Sequence, residues 1–306
     1  TKYTVGTNGL LGINGNVEKL KIQSDDITDL TLSKSSPLLK TLILVTKTQS
    51  ATANATKIDL SGLTELESLL IAGYEIASLD LTKQTKLKNL GIGAWDLGAN
   101  FPEMTDAFGT IPEKASRISE VKLPANNVIE NFIMRTATLQ DGKCDFDNLP
   151  KLKKFFCQSP FFSNFTFAKS TELEVLYATA PTAGIKLNAD LGSKPKLKDI
   201  TFRNATLSKF AVSNATNVVL KDSNAGAIAV EFDNIPAAQA LQYIASKANA
   251  SVTSITLKNI TISEENLIKM IKRLQTSGGT LKVKGELLTT AVNAALSAKG
   301  WTGAAL

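Results

Sequence analysis

The chain has 306 residues, 43% of them apolar and 20% charged, with 34 basic and 28 acidic side chains, two Cys and no His. That composition is globular, and without His neither a Ser-His-Asp or Cys-His catalytic pair nor an imidazole metal site can exist. The net charge of +6 is scattered among acids rather than gathered in a basic stripe with aromatics, so no nucleic-acid partner is expected.

Residues 1–16 read as an N-terminal segment or cap strand, and residues 17–232 as a repeat array. Segments 17–22, 39–44, 66–71 and 87–92 share one pattern, apolar-x-x-apolar-x-apolar. It resumes at 152–157, 173–178 and 197–202, with looser copies at 129–134 and 252–257. Equivalent positions lie 21 to 24 residues apart, as in Leu69 to Leu90 and Leu176 to Ile200. A second signal follows about ten residues into most units: Ile27-x-x-Leu30-x-Leu32, then Ile76-x-x-Leu79-x-Leu81, Phe162-x-x-Phe165-x-Phe167 and Leu207-x-x-Phe210-x-Val212. Each coil therefore carries two short segments with alternate apolar residues turned inward. One such coil cannot bury its own face, whereas stacked coils can. The expected fold is an α/β solenoid with short parallel strands on two faces. Stretches 45–57, 93–117 and 217–228 depart from the period and read as degenerate coils or insertions.

Within the array, Ser24-Asp25-Asp26…Asp29 and the group Asp141, Asp145 and Asp147 fit solvated turns. Their order does not match a calcium loop, and no metal is expected. Cys144 and Cys157 occupy inward slots on opposite faces, which predicts buried free thiols. The triplets beginning at Asn54, Asn164, Asn204, Asn214, Asn249 and Asn259 match the glycosylation pattern, as common loop residues do by coincidence. No Gly-rich phosphate loop is present and no cofactor is expected. No run reaches the roughly 18 apolar residues of a membrane span.

Residues 233–306 change character. A helix is expected over 235–245 with Pro236 in its first turn. A strand at 252–257 follows, then a helix at 264–275 capped by Ser263, a strand at 280–283 and a helix at 286–299 ended by Gly300. This alternation predicts strand–helix repeats that close the same domain as its C-terminal cap.

The run Leu66-Glu-Ser-Leu69-Leu-Ile71…Ile76-Ala-Ser-Leu79-Asp-Leu81-Thr, with Ile58-Asp-Leu-Ser, resembles the leucine-rich repeat. It is similar to the short-unit form found in surface proteins of Bacteroidetes-type bacteria, over about residues 17–232. The resemblance implies a leucine-rich-repeat solenoid, a non-enzymatic role and extracellular or cell-surface display. A monomer is expected.

On the strands, the residue between the last two inward positions faces out. Successive coils place Ile43, Leu70, Gly91, Ile133, Phe156, Tyr177 and Thr201 there, with Arg135 and Arg203 in the next outward row and Trp95 just beyond. An exposed apolar stripe of this kind marks a partner site. Ile43, Leu70, Trp95, Ile133, Arg135, Phe156, Tyr177 and Arg203 are thus the candidate binding residues, for a protein partner first. The alternative is a glycan, with Trp95 and Tyr177 as stacking platforms. The remote alternative is a carboxylate-dependent hydrolase, for which no spacing aims two acids at one cleft.

Overall fold

The computed structural model describes residues 16–306 except 33–37, 49–52, 56, 95–101, 111–112, 137, 159–163, 165, 180–185, 204–205, 222–225, 246–250 and 277. The repeated pattern builds a nine-stranded parallel sheet. Its strands, in order, are Lys19–Gln23, Thr41–Val45, Ser68–Ala72, Asn89–Ile92, Asn131–Arg135, Lys154–Gln158, Val175–Thr179, Asp199–Arg203 and Val219–Lys221. Neighbours pair in the register that the repeats dictate: Leu42 opposes Leu69, Leu69 opposes Leu90, and Phe155 opposes Leu176. Spatial order follows chain order, as stacked coils require.

The opposite side of each early coil carries only short strands. Asp29–Thr31 pairs with Lys57–Asp59, Leu79–Asp80 with Val121–Lys122, and Tyr74–Ile76 lies between Ala53–Asn54 and Arg117–Ile118. The Leu-Asp-Leu-Ser/Thr signature has a local cause here. The Asp80 carboxylate accepts from the backbone N–H of Thr82 at 2.9 Å and from its hydroxyl at 2.7 Å, and Asp59 accepts from Ser61 N–H at 3.0 Å. The Asp ends the strand by bonding its own chain two residues on. These bonds, the hydroxyl contact foremost, hold the Asp80 carboxyl below its ordinary range.

From residue 186 this opposite side becomes a six-stranded parallel sheet of Lys186–Ser193, Thr206–Ser213, Gly226–Asp233, Ser254–Lys258, Gly279–Val283 and Trp301–Ala305. Coils between 175 and 221 therefore contribute to both sheets. Beyond them, helices take the place of the nine-stranded sheet. The short helix α1 (Pro102–Phe108) lies earlier in the chain, and α2 (Ala237–Ile244), α3 (Glu264–Arg273) and α4 (Thr290–Ser297) follow in the C-terminal coils. α2 packs on the last strand of the long sheet, α3 on α2 and α4 on α3. Residues 233–306 are thus full strand–helix units of the same stack. The cap residues behave as their chemistry predicts: Ser263 Oγ accepts from Asn266 N–H at 3.3 Å, and Thr289 Oγ1 accepts from Val292 N–H at 3.2 Å.

Two local expectations change. The helix anticipated over 286–299 is a 3₁₀ turn at Gly285–Leu287 followed by α4, because Thr289 caps a new helix. Strand Trp301–Ala305 was not anticipated, since Gly303 fills an inward slot where neighbouring strands place Ile255 and Leu281. A side chain there would meet Leu288, Asn293 and Leu296 of the helical side within 3.3 Å, so glycine is what lets α4 lie close.

One continuous core runs the length of the stack. Its mid-section is aromatic, with Phe132, Phe146, Phe155 and Phe167 in tilted and edge-to-face contact at 4.8 to 6.1 Å between ring centres. Cys144 and Cys157 are buried in it as free thiols, and burial drives both far above the range in which a thiolate forms. Phe162 and Phe165 lie outside the described residues.

Candidate functional site

The outward face of the nine-stranded sheet is where the sequence concentrates apolar side chains at positions that could afford polar ones. The register confirms the row: Ile43, Leu70, Gly91, Ile133, Phe156, Tyr177 and Thr201 stand on neighbouring strands. The expected exposure does not hold. Ile43, Leu70, Ile133 and Phe156 are 1%, 4%, 2% and 5% accessible, because a second core forms on the outside of the sheet. Its lid is α1, part of the irregular stretch 93–117. Met104 and Phe108 reach down onto the row, joined by Val45, Ala72 and Ala94. The part of this stretch that holds α1 is thus an insertion: strand Asn89–Ile92 pairs directly with Asn131–Arg135, while α1 between them lies back over Thr41–Val45, Ser68–Ala72 and Asn89–Ile92.

Several contacts fix that insertion. It leaves the sheet at Gly93, whose φ of +79° and whose closeness to the Arg135 carbonyl exclude any side chain. The Lys154 ammonium bonds both carboxylate oxygens of Glu103 on α1, at 2.8 and 2.9 Å. Partial burial works against ionisation of Glu103, yet the Lys154 contact, the Glu103 backbone N–H and the charge of Lys153 together outweigh it and hold the carboxyl below its ordinary range. Arg135 pairs with Glu113 at 3.1 Å. Ala94 and Lys114 exchange backbone hydrogen bonds, and the buried Lys114 ammonium donates to the carbonyl and hydroxyl oxygens of Thr46 and to Thr48 O.

The row emerges from under α1 at its C-terminal end. Tyr177 is half-buried, stacked face to face on Phe156 with 4.6 Å between ring centres and planes 9° apart. The exposed Arg203 guanidinium lies 5.4 Å from the Tyr177 ring centre. In the next outward row, the Gln158 Oε1 is buried without a hydrogen-bond donor among the described residues. Tyr177 and Arg203 therefore form a compact patch of one ring and one cation on adjacent strands, with Gln158 two strands from Arg203. Trp95 falls outside the described residues.

Other candidates resolve as structural. Asp141 accepts from the backbone and side-chain amides of Asn164, and Asp147 accepts from the Thr166 hydroxyl and Ala168 N–H, around an open hollow also lined by Asp145 and Phe146. No set of three acidic or thiol groups able to hold a metal occurs among the described residues.

One ordered feature is invisible as mere scattered charge. Glu18, Lys40, Glu67, Lys88, Glu130, Lys153, Glu174 and Lys198 each precede a strand of the long sheet, and the backbone of each bonds to the one before. Signs alternate through all eight. Ion pairs join Lys88 to Glu67 at 3.3 Å, Lys153 to Glu130 at 2.6 Å and Lys198 to Glu174 at 2.6 Å. The signal was present as Glu65-Leu-Glu67 beside Lys86-Leu-Lys88, and Glu172-Leu-Glu174 beside Lys196-Leu-Lys198.

Compared with known proteins, the chain matches no family model and no curated protein. No described helix is long and apolar enough to cross a membrane.

Proposed function

We propose that this chain is a non-catalytic recognition module of leucine-rich-repeat type, displayed at a bacterial cell surface. Its binding patch is Tyr177 and Arg203. The observation that carries this reading is the end of the outward row, which no described residue of α1 covers: a tyrosine held by Phe156 and flanked by a cation. Rigid presentation loses little entropy on binding. Tyr177 and Arg203 stand on adjacent strands about 4.8 Å apart. A glycan whose ring packs on Tyr177 and whose hydroxyls or carboxylate meet Arg203 fits it best. The repeat signature supports the surface setting by resemblance alone.

A glycan array probed with the intact chain, with Tyr177→Ala and with Arg203→Ala tests this reading. Saturable binding to one polysaccharide class, lost in both variants while the melting temperature moves little, is expected. Unchanged binding in both variants, or none to any class, refutes it. A protein partner is the second reading, favoured by the apolar row beneath α1. It requires that removing α1 create binding that the intact chain lacks.

A further inference from the structure

The insertion that carries α1 is closed at its base. Ala94 and Lys114 exchange backbone hydrogen bonds at 2.6 and 2.8 Å, so the chain leaves and re-enters the stack at one point. Gly93 on one leg, and the Glu113–Arg135 pair with the buried Lys114 on the other, fix that neck. Past the neck, α1 meets the sheet through Met104 and Phe108, the half-buried Ala107 and the Glu103–Lys154 pair. The core it covers shares no residue with the core inside the coils. Lifting α1 on its neck therefore leaves the inward slots filled and the strand pairing beneath it in place.

We propose that α1 is an autoinhibitory flap, an internal ligand seated in a docking groove for an amphipathic helix of a partner protein. The groove is the row Ile43, Leu70, Ile133 and Phe156, with Lys154 at its rim. The partner helix has the spelling of α1: an acid, then apolar side chains one and five positions on, as Glu103, Met104 and Phe108 stand here. The two apolar positions are four apart and so share one face of a helix. The acid is required because the Lys154 side chain is only 17% exposed, and a purely apolar helix would leave its ammonium covered and unpaired. A helix of seven residues is weak alone, so a longer helix of the same spelling displaces it. This inference rests on the protein-partner reading and names the partner's chemistry. The glycan reading concerns Tyr177 and Arg203, and its array can succeed or fail independently.

The probe is a fluorescent helical peptide carrying residues 102–108 in an alanine-rich frame, read by anisotropy against the intact chain and its variants. Glu103→Lys sets two ammonium groups against each other and lifts the flap. It should bind the probe about tenfold or more tighter than the intact chain does, whose closed flap lowers the competent fraction. Glu103→Lys/Lys154→Glu restores the ion pair and should return binding to the level of the intact chain. Met104→Ala/Phe108→Ala frees the groove by another route and should bind the probe as Glu103→Lys does. The Glu103→Lys substitution made in the probe should abolish binding to both opened chains. Equal binding by the intact and opened chains overturns the inference, as does an absence of binding by either opened chain. Loss of strand content in both opened chains overturns it too, because α1 would then be part of the folding unit.

Discussion

Lys194 stands in a column of buried turn residues, one per coil, that includes Leu63, Gln84, Leu149, Ser170 and Ala215. Where that residue is polar, its side chain turns to a backbone carbonyl. Gln84 Nε2 donates to Leu60 O at 2.8 Å, and Ser170 Oγ donates to Leu149 O at 2.9 Å. Lys194 is 1% accessible and donates to Leu191 O and Ser193 O. Burial lowers its affinity for the proton, and Asp147 and Asp190 only partly offset this. A lysine depressed in the folded state binds fewer protons there than in the unfolded chain, so stability rises with pH between the lowered value and the ordinary lysine range. Lys194→Met should raise stability by about 1 kcal/mol at neutral pH and remove that alkaline rise. Urea titrations from neutral to alkaline pH would check it. A variant that unfolds earlier at every pH would mean that the two carbonyl contacts outweigh the cost of the buried charge.

At the scale of the element, α1 decides what the long sheet can offer. Its seven residues are too few to hold a helix alone, so it persists through Met104, Phe108 and the Glu103–Lys154 pair. Met104→Ala/Phe108→Ala should release it and expose Ile43, Leu70, Ile133 and Phe156. A several-fold gain in binding of an apolar dye, with strand content unchanged in circular dichroism, is expected. If strand content collapses as well, α1 belongs to the folding unit and is no appendage. Acid should act the same way. The Glu103 contribution is complete above the ordinary glutamate range and disappears as pH falls through its lowered value, so dye binding should appear only in acid below the ordinary glutamate range. The sequence told which residues share the outward row, because a two-residue period fixes the face of every side chain. It could not tell that the row is covered, because Met104 and Phe108 reach it only after the chain has doubled back over three strands. Trp301–Ala305 escaped for a different reason: glycine and alanine leave no alternation to read.

Across the whole molecule the coil period was legible, because each unit must place Leu, Ile or Phe at the same inward slots. The hand-over from the nine-stranded to the six-stranded sheet was less so, since it depends on which side of a coil is extended and not on what that side buries. The alternating row Glu18 to Lys198 belongs to this scale too. Lys153→Glu would set three acids in succession, Glu130, position 153 and Glu174. Each exposed pair contributes less than about 1 kcal/mol, so a modest fall in melting temperature is expected, shrinking in concentrated salt. A fall of equal size at both salt concentrations would assign the effect to packing of the lysine stem instead.

Alternation of sign does something that pairing alone does not. A stack of similar coils is prone to slip, one unit taking its neighbour's place, and the apolar slots resist this poorly because they are nearly interchangeable. With signs alternating, a slip by one coil sets Glu beside Glu and Lys beside Lys wherever the slipped and native segments meet. A slip by two restores every pair but must store two coils, more than forty residues, in a loop. The row therefore acts as a parity check on assembly: the smallest error is the one it penalises most.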